Sequence, residues 1–133
     1  MGTMREIKFR GKRIDNGEWV YGYLIGKDVI VGDIVEFCED YFNTEFWYKV
    51  DPKTVGQFTG IKDENGTGIY EGDILRDEFD RVFRVYWVDG EARFAIRQKK
   101  RKTEYFMVIG HIHPVVIGNI WDNPELPKGE GTA

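Results

Sequence analysis

Residues 61–75 read IKDENGTGIYEGDIL, with Asp63, Glu64, Glu71 and Asp73 set around three glycines. An oxygen-rich loop of this kind can chelate calcium or magnesium, and close acids can share a proton. The calcium reading is decided by spacing. Asp63, Asn65, Thr67, Gly68 and Glu71 match the first, third, fifth, sixth and ninth places of an EF-hand loop, but the twelfth, which needs a bidentate glutamate, is Ile74. No amphipathic helix flanks the segment to hold such a loop. Glu71 and Asp73 would share a strand face and, with Asp63, could serve a metal-dependent hydrolase, but that chemistry needs a further ligand. The same residues have a structural use: Asn65-Gly66 suits a tight turn, and an aspartate after glycine accepts nearby backbone N–H groups. The structural role is the preferred reading.

His111 and His113 would project from one side of a strand and could begin a zinc site, yet zinc requires three or four protein ligands and Pro114 marks a strand end. Cys38, the single cysteine, could pair with a histidine as a nucleophile, but its apolar strand context reads as a buried structural thiol. Arg97, Lys99, Lys100, Arg101 and Lys102 form the run RQKKRK, near Phe94, Tyr105 and Phe106. Basic residues among aromatics are what single-strand binding barrels use, which keeps nucleic acid as the leading specific alternative. Against it, the remaining balance is 14 basic to 23 acidic residues, a poor footprint for phosphate contacts.

The elements that must position these residues are strands. RVFRVYWV, Asp89-Gly90 and EARFAIR read as a hairpin closed by a two-residue type I′ turn, with Val88 opposite Glu91 and Phe83 opposite Ile96. Phe83, Val85, Trp87, Ala92, Phe94 and Ile96 then share an apolar face, and Arg84 and Arg93 lie on the other. Asn16-Gly17 predicts a second hairpin with Ile14 opposite Trp19. DVIVGDIVEF, TEFWYKV, VGQFTGI, TEYFMVI and VVIGNIW add further strands by their β-branched and aromatic content. The one helix candidate is a short stretch from Glu39 to Glu45. VGDIVEF and EGDILRD share a Gly-Asp entry into a strand, read as turn chemistry and not as a duplicated site.

A chain of 133 residues with 41% hydrophobic and 15% aromatic content is one domain's worth of folded protein, taken as residues 4–126. Residues 1–3 read as an alternative start or a cloning remnant, and residues 127–133 as a tail rich in Gly and Pro. The absence of a long apolar run, a secretory signal pattern and paired cysteines points to a cytoplasmic protein.

REIKFRGK, QFTGIKDENGTGIYEGDIL and VIGNIWDNPEL occur in this order between Arg5 and Leu126. Together they resemble the YopX family of phage and prophage proteins. The resemblance implies a mainly-β fold, a small SH3-type barrel with additional hairpins, and expression in a bacterial host cytoplasm. It carries no residue-level chemistry to Glu71, Asp73 or Asn119, and no cofactor.

The reading these features favour is a non-enzymatic binding or assembly module that meets a host or phage protein partner, or a second copy, through aromatic surface. Trp19, Trp47, Trp87 and Trp121 exceed what one small core needs. Candidate contact residues are Tyr70, Glu71, Asp73, Arg97, Lys99, Lys100, Arg101, Lys102 and Trp121.

Overall fold

The computed structural model describes residues 5–98, 106–107 and 109–126. Among these residues thirteen strands and two 3-10 turns form, so the protein is mainly β as the strand signals require. None of the helices is long and apolar enough to cross a membrane among the described residues. The chain forms two compact units, Met1–Phe58 and Thr59–Ala133.

In the first unit, β1 (Phe9–Lys12) pairs with β2 (Trp19–Ile25), which pairs with β3 (Val29–Val31), which pairs with β6 (Trp47–Lys49). Among the described residues β4 (Ile34–Phe37) and β5 (Phe42–Thr44) pair only with each other. A 3-10 turn at Pro52–Thr54 is capped by Asp51, whose carboxylate accepts the Lys53 N–H. The strand β7 (Gly56–Lys62) begins in this unit against β1, with Phe9 opposite Gln57, and continues into the next. Ile30, Val31, Val50 and Phe58 are its buried apolar residues.

The second unit holds β8 (Gly68–Tyr70), β9 (Asp73–Arg76), β10 (Val82–Val88), β11 (Arg93–Arg97), β12 (Phe106–Met107) and β13 (Val115–Asn119). Five of them form an antiparallel sheet in the order β12-β11-β10-β9-β13, with a 3-10 turn at Ile109–His111 before the last strand. The core beneath it comprises Ile69, Leu75, Phe83, Val85, Ile96, Ile109 and Ile112, with Phe94 and Val116 packed against them.

Both predicted hairpins form, but each is two residues out of the expected register. Val88 faces Arg93 and Val85 faces Ile96, where a two-residue turn would set Val88 against Glu91. The reason lies in the backbone. A type I′ turn needs positive φ at Asp89 and Gly90, whereas the positive values fall at Gly90 (83°) and Ala92 (53°), and Glu91 N–H bonds Val88 O at 3.3 Å. At the first hairpin Lys12 faces Trp19, Gly17 N–H reaches Arg13 O at 2.9 Å, and Arg13 N–H bonds Glu18 O at 2.9 Å. Asp15 holds the Arg13 guanidinium through two bonds of 2.6 and 2.9 Å, and Asn16 accepts the Glu18 N–H, so side chains favour the longer loop. A shift of two conserves the side-chain face, and Phe83, Val85 and Ile96 are buried as the pattern requires.

Two other expectations are corrected. The helix candidate from Glu39 to Glu45 contains β5, because its aromatic residues pair Phe42 with Phe37 across a hairpin. TEYFMVI is a strand only at Phe106–Met107 among its described residues, and Ile109 turns into 3-10 geometry to enter the core.

Candidate functional site

The acidic motif is a loop and a tight turn, and two of its carboxylates, those of Asp63 and Asp73, accept backbone N–H groups. Asp63 is buried, and its Oδ1 accepts the N–H groups of Asn65 and Thr67, each at 2.8 Å, while Oδ2 accepts the Val116 N–H at 2.9 Å. Burial pushes this carboxyl up, but the N–H groups of Val116, Thr67 and Asn65 outweigh it and hold it below the usual value. The loop Asp63–Thr67 joins β7 to β8, and Val116 lies on β13, so one side chain fixes a turn and a distant strand.

The loop between β9 and β10 repeats the device. Asp77 Oδ1 accepts the N–H groups of Phe79 (2.9 Å) and Arg81 (2.8 Å), the same offsets of two and four, and Asp77 Oδ2 takes the Arg81 Nε–H at 2.7 Å. Gly66 and Asp80, each three residues after its aspartate, both have positive φ, 82° and 62°. DENGT and DEFDR are therefore one loop written twice, a signal hidden in the sequence because only the leading Asp-Glu is shared.

Asp73 is 1% exposed, and its Oδ2 accepts the Tyr70 N–H at 2.8 Å across the turn Tyr70-Glu71-Gly72-Asp73. Gly72 has φ of 92°, and a Cβ placed there would lie 2.3 Å from the Trp121 ring. Its N–H bonds Val85 O at 2.9 Å and its carbonyl accepts the Ile120 N–H at 3.0 Å. Trp121 is itself positioned by Asn119, whose Oδ1 accepts the N–H groups of Trp121 (3.0 Å) and Asp122 (2.8 Å). The central and closing motifs thus meet at Gly72 and Trp121. Tyr70 is buried, Glu71 and Trp121 are half-buried, and Asp63, Glu71 and Asp73 make no group able to hold a metal; none exists among the described residues.

His111 and His113 do not share a strand face as the zinc reading requires. His111 ends the 3-10 turn, and His113 faces the two repeated loops: its Nδ1 lies 2.8 Å from Glu64 Oε1 and its Nε2 3.9 Å from Glu78 Oε2. Glu64 and Glu78 both follow the loop aspartates directly. Cys38, expected to be buried, is half-exposed, and its thiol bonds the Tyr41 hydroxyl, which raises that phenol's pKa.

Of the basic run, Arg97 is described and Lys99, Lys100, Arg101 and Lys102 lie outside the described residues. Arg97 stacks 4.5 Å over the Tyr86 ring, and Arg84 is its cross-strand partner. The four tryptophans divide. Trp19 sits beneath Arg10 at 4.7 Å and Trp121 covers Gly72, whereas Trp47 is 66% and Trp87 40% exposed. Trp87 meets Phe94 edge to face at 4.9 Å. The first unit exposes more apolar surface still, at Tyr21, Tyr23, Ile25, Ile34, Val35, Phe37, Tyr41 and Phe42. Sequence reasoning singles out Trp47 but not this surface. Most of these residues fall in segments that read as strands, and strand pattern alone does not tell an exposed apolar face from a buried one, while Tyr41 and Phe42 fall in the helix candidate. The available signal is the mixing of acids with apolar residues without a cation from Val29 to Tyr48.

Fold and motifs together define a small mainly-β protein in which recurrent Gly, Asp and Asn residues set loops for a many-stranded architecture. The YopX protein family model matches residues 8–128, and the chain belongs to the YopX family. Its fold is similar to the crystal structure of protein EF1440 from Enterococcus faecalis, with a TM-score of 0.60 and 24% identity over 93% of this chain and 99% of that one. No curated protein matches the chain.

Proposed function

We propose that the chain is a non-enzymatic binding or assembly module, encoded by a phage or prophage and working in the bacterial cytoplasm, that recognises a protein partner through exposed aromatic surface. The observation that carries this reading is the exposure of Trp47 and Trp87 together with that of Phe37, Phe42, Tyr21 and Tyr23. Large exposed aromatics supply most of the energy of protein contacts when a partner excludes water from them. The engagement of Asp63 and Asp73 with backbone N–H groups supports a structural role for the acidic motif. The second unit's connectivity, a four-strand meander whose fifth strand returns through a 3-10 turn to pair with the first, supports the SH3-type barrel.

The test is affinity capture from the bacterium that carries the gene, comparing wild type with Trp47→Ser/Trp87→Ser. A partner held in fixed ratio by the wild type and released by the variant, at unchanged thermal midpoint, is expected. The same recovery from both proteins would overturn the reading.

Nucleic-acid binding is the second reading, and the cross-strand placement of Arg84 and Arg97 beside Tyr86 favours it. Titration with single-stranded and duplex DNA at two salt concentrations discriminates: absence of binding at low salt eliminates it.

A further inference from the structure

From Val29 to Tyr48 the sequence contains five carboxylates, Asp33, Glu36, Glu39, Asp40 and Glu45, and no lysine or arginine. This stretch folds as one long hairpin. β3 pairs with β6, the ladder passes through Gly32 N–H to Phe46 O (3.0 Å) and Glu45 N–H to Asp33 O (2.9 Å), and it continues as β4 against β5. Among the described residues β2 pairs with this hairpin only as far as Val31, and β4 and β5 form a ribbon of two strands paired with each other alone. A ribbon of two strands buries little and is marginal in water by itself. Here its side chains also face outward: Phe37 is 75% and Val35 64% exposed, and Ile34, Tyr41 and Phe42 are about half exposed. At its base a groove of about 510 Å³ is lined by Tyr23, Ile25, Val31, Ile34 and Phe42, with Asp33 at the lip bonded to the Tyr23 hydroxyl.

We infer that this ribbon is the docking edge for an extended basic segment of another protein, in which apolar side chains alternate with lysine or arginine. The inference rests on the binding role proposed above and names its surface and the chemistry of its partner. Open strand edges recruit an extended chain through backbone hydrogen bonds, and alternate side chains of that chain enter the groove. The carboxylates then select basic side chains and reject acidic ones. A second copy presenting the same ribbon would set carboxylates against carboxylates, which disfavours symmetrical pairing.

Labelled extended peptides alternating Val with Lys, with Glu or with Ser, titrated against the full chain and followed by anisotropy, test the inference. The Val-Lys peptide should bind at low salt at least about tenfold more tightly than the other two, and weaken as salt rises. Phe37→Ser/Phe42→Ser removes the cross-strand pair that sets the ribbon and should abolish this binding. Because β4 and β5 pair with no other described strand, the thermal midpoint of the rest of the chain should hold. Glu36→Lys/Glu39→Lys/Asp40→Lys, at three exposed positions, should transfer the preference to the Val-Glu peptide. Equal binding of all peptides, no binding of any, or an unchanged preference in the charge variant overturns the inference. So does a dimer in sedimentation that the Phe37 and Phe42 changes dissociate. Should a natural partner be retained by both ribbon variants and released by Trp87→Ser, the binding role stands and this surface is the wrong one.

Discussion

Replacing Asp63 removes the acceptor for three backbone N–H groups, two in its own loop and one on β13. Stranding buried donors costs more than the bonds contribute net, so Asp63→Ala should lose about 2–3 kcal/mol in urea unfolding. The pH dependence has a definite sign. The folded carboxyl titrates below its ordinary value of 3.8, so its contribution is complete above that value and is lost as pH falls through the lower folded pKa. The stability gap between wild type and Asp63→Asn should therefore narrow in acid; a gap independent of pH would contradict the bonding scheme. Gly72→Ala combines a positive φ with a Cβ driven against Trp121, and should cost about 2 kcal/mol or more. The distinction between a metal loop and a turn was legible at one position, Ile74. That Asp63 reaches Val116 was not, because nothing local in either segment reports a contact between residues so far apart in sequence.

Among the elements, the hairpins show how much a strand pattern determines. Alternation of Phe83, Val85 and Trp87 against Phe94 and Ile96 fixes which face is apolar, but registers that differ by two satisfy it equally. Only loop backbone selects between them, and Ala92 at φ 53° is not a residue that advertises such a conformation. Ala92→Gly should relieve this strain and raise stability by about 0.5–1 kcal/mol, less whatever glycine costs in chain entropy. A loss of stability would show that the loop is held by other means. The helix expected from Glu39 to Glu45 fails for a related reason. Local composition there is ambiguous, and the pairing of Phe42 with Phe37 across the chain decides it. The three motifs that carry the family resemblance were legible, and the structure gives two of them physical content: Asp63 and Gly72 in the central motif and Asn119 in the closing one each set a loop or turn.

For the molecule as a whole, the charge balance of −4 and the exposed apolar residues of the first unit separate two ways of working. An acidic chain has little long-range attraction for phosphate, so DNA binding should be weak even at low salt and vanish as salt rises. Contact with protein at the aromatic surface draws on excluded water, which survives screening, with a salt-sensitive part added where the ribbon carboxylates meet basic side chains. Site-specific photo-crosslinking in cells of the organism that carries the gene tests this most directly, with a benzophenone side chain placed in turn at Phe37, Trp47, Trp87 and, as an exposed polar control, Lys62. The account predicts adducts of discrete mass from one or more aromatic positions and none from Lys62. Adducts at no position, or the same spread from Lys62 as from the aromatic positions, would contradict it.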